Sequence, residues 1–154
     1  MQDIYNRNDL EYMDIALSQA ADAANCGEVP IGAVLVKNGR VLAADRNRRE
    51  GNKDATAHAE MLVLRRAGQL LGGWRLSGCT LYVTLEPCPM CAGAMVQARI
   101  DRLVYGAADP KGGAAGTLYD ITRDDRLNHR LTVTGGVKEK ECADLLQHFF
   151  RSRR

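Results

Sequence analysis

Thr80-Leu81-Tyr82-Val83-Thr84-Leu85-Glu86-Pro87-Cys88-Pro89-Met90-Cys91 is a strand that runs directly into a helix. Residues 80–85 are rich in β-branched and aromatic side chains and contain no breaker. Pro89 has no N–H to lose in a first helical turn, so a helix to about Ala98 follows. Cys88 then stands just beyond the carboxyl end of a strand, where open α/β sheets hold their ligands. Upstream, Val29-Pro30-Ile31-Gly32-Ala33-Val34-Leu35-Val36 is nearly all apolar, as for a strand covered on both faces. Pro30 lacks a donor and belongs at that strand's start or on an edge. Asn38-Gly39 is the pair that a two-residue hairpin turn prefers, and Val41-Leu42-Ala43-Ala44 is the returning strand.

The remaining segments alternate in the same way. Asn8-Asp9-Leu10-Glu11 has the form of a capping box, followed by Leu10, Met13, Leu17, Ala20, Ala21 and Ala24 at helical spacing, with Gly27 as the stop. Asp54 or Thr56 can cap a second helix whose apolar face is Met61, Leu62, Leu64, Ala67 and Leu71, closed by Gly72-Gly73. Residues 103–106 and 131–134 read as short strands, separated by a loop that is rich in Gly and Ala from Ala107 to Gly116. Ala143, Leu145, Leu146, Phe149 and Phe150 line a last helix. A hairpin followed by alternating strand and helix predicts a mixed, mostly parallel sheet with helices on both faces. The expected class is α/β: a three-layer α/β/α sandwich on a five-stranded mixed sheet, with residues 1–154 forming a single domain.

Composition narrows the function classes. The chain of 154 residues is 45% apolar and 26% charged, ordinary for a soluble globular protein. A net charge of +2 does not argue for nucleic acid by itself. Its distribution says slightly more: Arg46, Arg48, Arg49 and Lys53 share one loop, and Arg151, Arg153 and Arg154 lie together. Residues 1–6 have no apolar targeting core, and no run approaches a membrane span. Five cysteines cannot all pair internally, and two stand at C-x-x-C spacing. That favours a reducing, cytoplasmic setting with metal or redox use over a disulfide scaffold.

The chemistry concentrates in His58-Ala59-Glu60 and Pro87-Cys88-Pro89-Met90-Cys91. One imidazole and two thiolates make three ligands, one short of a closed tetrahedral zinc site, and the fourth position can take water. Both segments sit at helix starts, where free N–H groups and the positive dipole end favour thiolates. A spacing of three puts Cys88 and Cys91 on one helix face. His58 and Glu60 are two apart, so Glu60 would sit beside the water as the proton carrier rather than on the metal. A redox pair at Cys88 and Cys91 would need a thioredoxin-like remainder, which is absent. A closed structural site would need a fourth ligand from Cys79, Cys142 or His129. Cys79 begins the strand that ends at Leu85, about 20 Å from Cys88 at the usual rise per residue. For Cys26, Cys79 and Cys142 the expected role is that of a small buried apolar residue. His148 is expected to serve only at the surface or in packing.

The H-x-E and P-C-x-x-C pair is the pattern of the zinc nucleobase deaminases. Several further segments resemble the bacterial tRNA-specific adenosine deaminases of the cytidine deaminase-like fold: residues 80–95, Glu28 to Val36, Thr56 to Glu60, Gly112 to Gly116, Asn128-His129-Arg130 and Phe149-Phe150-Arg151. The resemblance runs from Glu11 through nearly the whole chain. It implies hydrolytic conversion of adenosine to inosine at the wobble position, 34, of the anticodon, chiefly in an arginine tRNA. It further implies one Zn²⁺ per subunit on His58, Cys88 and Cys91, with Glu60 as proton shuttle. On the same ground Asn47 matches an adenine-contacting amide, Val29 and Ile31 an apolar wall, and Ala59, Leu85 and Glu86 the rest of the substrate site. Asp109, Lys111 and Asn128 match positions that hold the flipped anticodon stem-loop, and the family pairs as homodimers. Ala108 departs from the charged residue expected beside Asp109. Two rivals keep the same metal site: a deaminase of free guanine or cytidine, and a non-catalytic, zinc-stabilised RNA-binding module.

Overall fold

The computed structural model describes residues 7–153. In chain order it contains α1 (Arg7–Asn25), β1 (Gly32–Lys37), β2 (Arg40–Arg46), α2 (Arg49–Asn52), α3 (Ala59–Leu71), β3 (Cys79–Leu85), α4 (Pro89–Gln97), β4 (Arg102–Ala107), β5 (Thr132–Thr134) and α5 (Glu139–Arg151). The sheet order is β2-β1-β3-β4-β5. β1 is antiparallel to both β2 and β3, whereas β3–β4 and β4–β5 are parallel. The sheet is therefore mixed, as expected, but not mostly parallel. β1 enters as half of a hairpin, so it opposes every other strand, and the central strand β3 has one antiparallel and one parallel neighbour. Asn38 and Gly39 both take positive φ, 52° and 74°, which the tight turn of that hairpin requires.

Strand alternation separates two cores, one on each face of the sheet. Ala33, Leu35, Leu81, Val83 and Leu103 join Val63, Leu64 and Ala67 of α3 and Met95 and Val96 of α4. Val34, Val36, Tyr82 and Val104 face the other way, against Met13 and Ala16 of α1 and Cys142 of α5. These are the three layers of the expected α/β/α sandwich. Residues at i and i+2 of a strand share a face, so one sheet can bury both sides at once.

The helices are turned from their expected faces where a polar or tight contact outweighs hydrophobicity. The buried stripe of α1 is Asp9, Met13, Ala16, Ala20 and Ala23; Leu17, Ala21 and Ala24 are only partly covered. Asp9, 1% exposed, accepts from the Tyr82 hydroxyl at 2.7 Å and from both Arg102 guanidinium nitrogens at 2.8 Å. The small stripe lets α1 lie directly on β1: any side chain at Gly32 would strike the backbone of Ala16 and Ala20. Asn8 lies inside the helix, so the expected capping box is not formed. In α3 the N-cap is His58, not Asp54 or Thr56, because the Asp54 carboxylate accepts from the Thr56 N–H and hydroxyl, both at 2.8 Å, in the preceding turn. In α5, Cys142 and Phe149 are buried and Phe150 is half exposed, because Cys142 packs over the bare backbone of Gly106. Cys79 and Cys142 are buried as expected; Cys26 is exposed, since it follows the last turn of α1.

No helix among the described residues is long and apolar enough to cross a membrane. Replacing Asp9 by Ala would take the carboxylate from the Tyr82 hydroxyl and from the Arg102 guanidinium, which would keep its bond to the Thr134 hydroxyl. We expect a loss of about 3–5 kcal/mol in urea unfolding, the usual effect of breaking a buried pair on one side.

Candidate active site

The site lies at the carboxyl end of β3. Because β1 runs the opposite way, the residues leading into β1 and those leaving β2 border the same edge. Gly32 pairs with Arg46, and the Asn47 N–H donates to the Ile31 carbonyl at 3.0 Å. His58 and Cys88 occupy equivalent positions, the N-caps of α3 and α4, both with extended backbone (φ −73° for each). Their side chains thus project from helix starts, with Cys91 one turn into α4.

His58, Cys88 and Cys91 bring one donor atom each to within 4.8 Å of one another, the single such group of potential metal ligands among the described residues. His58 Nδ1 lies 3.7 Å from Cys88 Sγ and 3.5 Å from Cys91 Sγ. Tetrahedral bonds of about 2.3 Å to sulfur and 2.0 Å to nitrogen would separate the two donors by about 3.5 Å, so the cradle fits a zinc-sized ion. The protons argue the same way. A hydrogen bond from Cys91, supported by His58, holds the Cys88 thiol down at about 4, while sharing that proton and burial push Cys91 well above the ordinary thiol range. A divalent cation would take the place of the shared proton. His129, weighed as a fourth ligand, instead has its Nε2 at 2.6 Å from the Ile100 carbonyl. Cys79 lies in the core at the far end of β3, away from the group.

Glu60, the second residue of α3, is 4% exposed. Burial pushes its carboxyl up to about 7, against the pull of its own backbone N–H and the nearby imidazole. A carboxyl poised there can both take and give a proton near neutral pH. A cavity of about 100 Å³ opens beside it, lined by Ile31, Asn47, Arg49, His58, Ala59 and Glu60. That is well below the ~300–1,000 Å³ of a cleft for a whole small molecule, and it suits a single inserted ring. Asn47, 3% exposed, donates from Nδ2 to the Val29 carbonyl at 3.4 Å and accepts the Arg49 N–H at 3.2 Å. One amide hydrogen and one lone pair remain for a guest.

The structure gathers Ile31, Asn47, Ala59, His58 and Glu60 around one cavity, with Val29 directly behind Asn47. It does not bring Leu85 to this wall: Leu85 packs towards the α1–α5 core. Glu86 is also turned away from a guest. Its carboxylate, 2% exposed, accepts from the N–H groups of Asp109 (3.0 Å), Ala115 (3.0 Å) and Thr117 (3.1 Å) and from the Thr117 hydroxyl. Gly113 is needed there, since any Cβ would collide with that carboxylate. Glu86 therefore pins the 107–118 loop to the segment that follows β3. Asp109 turns its carboxylate onto the Lys111 and Gly112 N–H groups, at 2.9 and 3.2 Å. Lys111 and Asn128 are exposed at the surface. Of the basic tail, Arg153 stacks on Phe149 at 4.3 Å and donates to the Gly27 carbonyl, and Arg154 lies outside the described residues.

Two residues escaped the sequence reading. Glu28, 3% exposed, accepts from the N–H groups of Glu50 and Gly51 at 3.0 and 2.7 Å and so anchors α2. Arg49, presented by that turn, lines the cavity. An acid preceding an apolar run, and one arginine among several in a loop, carry no pattern that marks either as special.

A mixed sheet between helix layers, with an open imidazole–dithiol cradle and a buried carboxyl beside a ring-sized cavity, defines a hydrolytic deaminase of the cytidine deaminase-like fold. The model of the MafB19-like deaminase family matches residues 7–154. A tRNA-specific adenosine deaminase of Bacillus subtilis is 54% identical over 143 residues, covering 93% of this chain and 89% of that protein. A solved structure from a study of A-to-I editing by tRNA:A34 deaminases superposes with a TM-score of 0.85 at 49% identity, covering 88% of this chain and 99% of the other. A guanine deaminase structure from Bacillus subtilis is more distant, at 36% identity, a TM-score of 0.64 and 73% and 71% coverage. The chain belongs to the tRNA-specific adenosine deaminase family.

The anchoring role of Glu86 has a pH signature. Burial alone would raise its pKa, but the hydrogen bonds from Thr117, Asp109 and Ala115 outweigh it and hold the carboxyl below its ordinary value of 4.5. A depressed folded pKa contributes stability above the unfolded value, lost as pH falls through the folded one. Glu86→Gln should cost about 1.5–3 kcal/mol at pH 7. The gap between variant and wild type, read by denaturant unfolding, should narrow below about pH 4.5.

Proposed function

We infer that the protein catalyses hydrolytic deamination of adenosine to inosine in tRNA, at the wobble position of the anticodon, as a zinc enzyme with one ion per subunit. The observation that carries this reading is the ring-sized cavity, which holds the only buried acid poised near neutrality among the described residues and opens onto the His58–Cys88–Cys91 cradle. The high identity to tRNA-specific adenosine deaminases supplies the substrate class. His58, Cys88 and Cys91 would hold the ion. When bound, zinc supplies Lewis acidity that makes water a competent nucleophile at neutral pH.

The chain's own residues do the rest. Ile31 and the Ala59 backbone enclose the base, with Val29 behind. Asn47 offers the complementary donor and acceptor that an adenine edge requires. Glu60 accepts a proton from the attacking water and places it on the ring nitrogen; it then takes the proton of the newly added hydroxyl, as that becomes a carbonyl, and delivers it to the departing amine. Adenosine and water become inosine and ammonia, with every proton handled by one carboxyl. On the family resemblance, Asp109, Lys111 and Asn128 would meet ribose and phosphate groups of the anticodon stem-loop. The choice of an arginine tRNA rests on the family resemblance.

We further assign residues 1–154 as a single deaminase domain, cytoplasmic and working as a homodimer. Outside the active site, α3 and α4 flank a groove of about 690 Å³ lined by Met61, Leu64, Trp74, Leu76 and Ala94. Leu70, Leu71 and Trp74 stand 60%, 41% and 57% exposed beside it. An apolar face of this kind suits a second copy.

Glu60→Ala should retain fold and zinc and lose deamination by about 10²–10⁴-fold, the usual weight of a positioned acid–base group. Inosine formation on an anticodon stem-loop, with metal analysis of the same sample, checks it. Turnover of free guanine or cytidine with none on the stem-loop would instead identify a free-base or nucleoside deaminase. Trp74→Glu should shift the protein from dimer to monomer in light scattering at micromolar concentration; an unchanged dimer would place the interface elsewhere.

A further inference from the structure

Arg49 is the unassigned charge at the mouth of the cavity. Its neighbours on the same loop are committed: Arg46 donates to the Asn47 carbonyl at 3.1 Å, and Arg48 pairs with Asp45 at 2.7 Å. The guanidinium of Arg49 makes no hydrogen bond, ion pair or ring contact among the described residues, yet it lines the same cavity as Asn47, His58 and Glu60. Its position is held from below. The Arg49 N–H donates to Asn47 Oδ1 at 3.2 Å, and the buried Glu28 carboxylate clamps the next two N–H groups of the turn. The backbone that carries Arg49 is thus stitched to the residue expected to read the base, and to the segment leading into β1.

The cavity is sized for one ring. Whatever is attached to that ring must stay at the mouth, and for a base in a polynucleotide this is a ribose with a phosphodiester on either side. A planar guanidinium with five donors and no protein partner is matched to phosphate oxygens, to which it can give two parallel hydrogen bonds. We propose that Arg49 seats a backbone phosphate flanking the target nucleotide, locking the strand while its base occupies the cavity. This rests on the RNA reading above. It adds a residue to the recognition set and assigns it one chemical partner. Glu28 acts only through the turn, as a positioning residue.

Binding can be measured without turnover by using the Glu60→Ala protein loaded with zinc and an anticodon stem-loop. Adding Arg49→Gln should weaken affinity about tenfold or more. It should also flatten the slope of log affinity against log salt by about 0.7, the share of one single-strand phosphate. Arg49→Lys, which keeps the charge but not the fork, should recover part of both. Replacing the phosphodiesters that flank the target by uncharged methylphosphonates, one at a time, should reproduce the loss at one position. At that position Arg49→Gln should add no further loss, the behaviour of a coupled pair. Unchanged affinity for Arg49→Gln, or additive losses at both phosphates, would overturn the seat while leaving the RNA reading intact. Failure of the Glu60→Ala protein itself to bind the stem-loop, together with no inosine from wild type, would overturn both.

Discussion

His58 and Cys88 are each the N-cap of a helix, and everything else at the site depends on where those two helices begin. An N-cap residue takes extended dihedrals while the next residue is already helical. Its side chain is therefore aimed by the helix rather than by a flexible loop. α3 and α4 pack on the same face of the sheet through Val63, Leu64, Ala67, Met95 and Val96. That apolar packing sets the separation of 3.5–3.7 Å between imidazole and thiols across thirty residues of sequence. The cradle is thus a consequence of the core. The helix ends also bring positive potential to the place where two thiols must give up their protons.

Four buried acids divide the labour. Asp9 ties α1 to the sheet through Tyr82 and Arg102. Glu28 ties the cavity's rim to the start of β1, and Glu86 ties the 107–118 loop to the end of β3. Each of these carboxylates is taken up by hydrogen bonds to the donors around it and serves as an anchor. Glu60 is buried with no such ring of cationic or amide donors, and its carboxyl rises to about 7. Glu86 and Glu60 are both shielded from solvent, but burial dominates at Glu60, whereas at Glu86 the hydrogen bonds from Thr117, Asp109 and Ala115 outweigh it. That difference separates an anchor from a proton carrier.

The base cavity and the loops around it are built by opposite strand directions. Because β1 opposes β3, the Val29–Ile31 approach and the Asn47–Gly51 turn meet the cysteine segment at one edge. Were β1 parallel to β3, the Val29–Ile31 approach would lie at the far end. The hairpin turn at Asn38-Gly39, remote from the chemistry, is what makes this meeting possible.

Much of this was legible in the sequence wherever the signal was local. The strand–Cys–Pro–helix junction, the hairpin at Asn38-Gly39, the C-x-x-C clasp and the H-x-E pair each span a few residues, and backbone geometry alone orients them. The five strands and four of the helices followed from periodicity, and the family from the combined segments. The four-residue α2 was too short to show a period. Only the tertiary structure decided the rest. It turned α1 so that Asp9 faces inward and Leu17 does not, took Glu86 and Leu85 away from the cavity wall, and drew Glu28 and Arg49 to its rim. Each of those outcomes depends on a partner twenty or more residues away, or on a turn held by one. Side-chain type and spacing do not encode such partners; the packing of strands and helices supplies them.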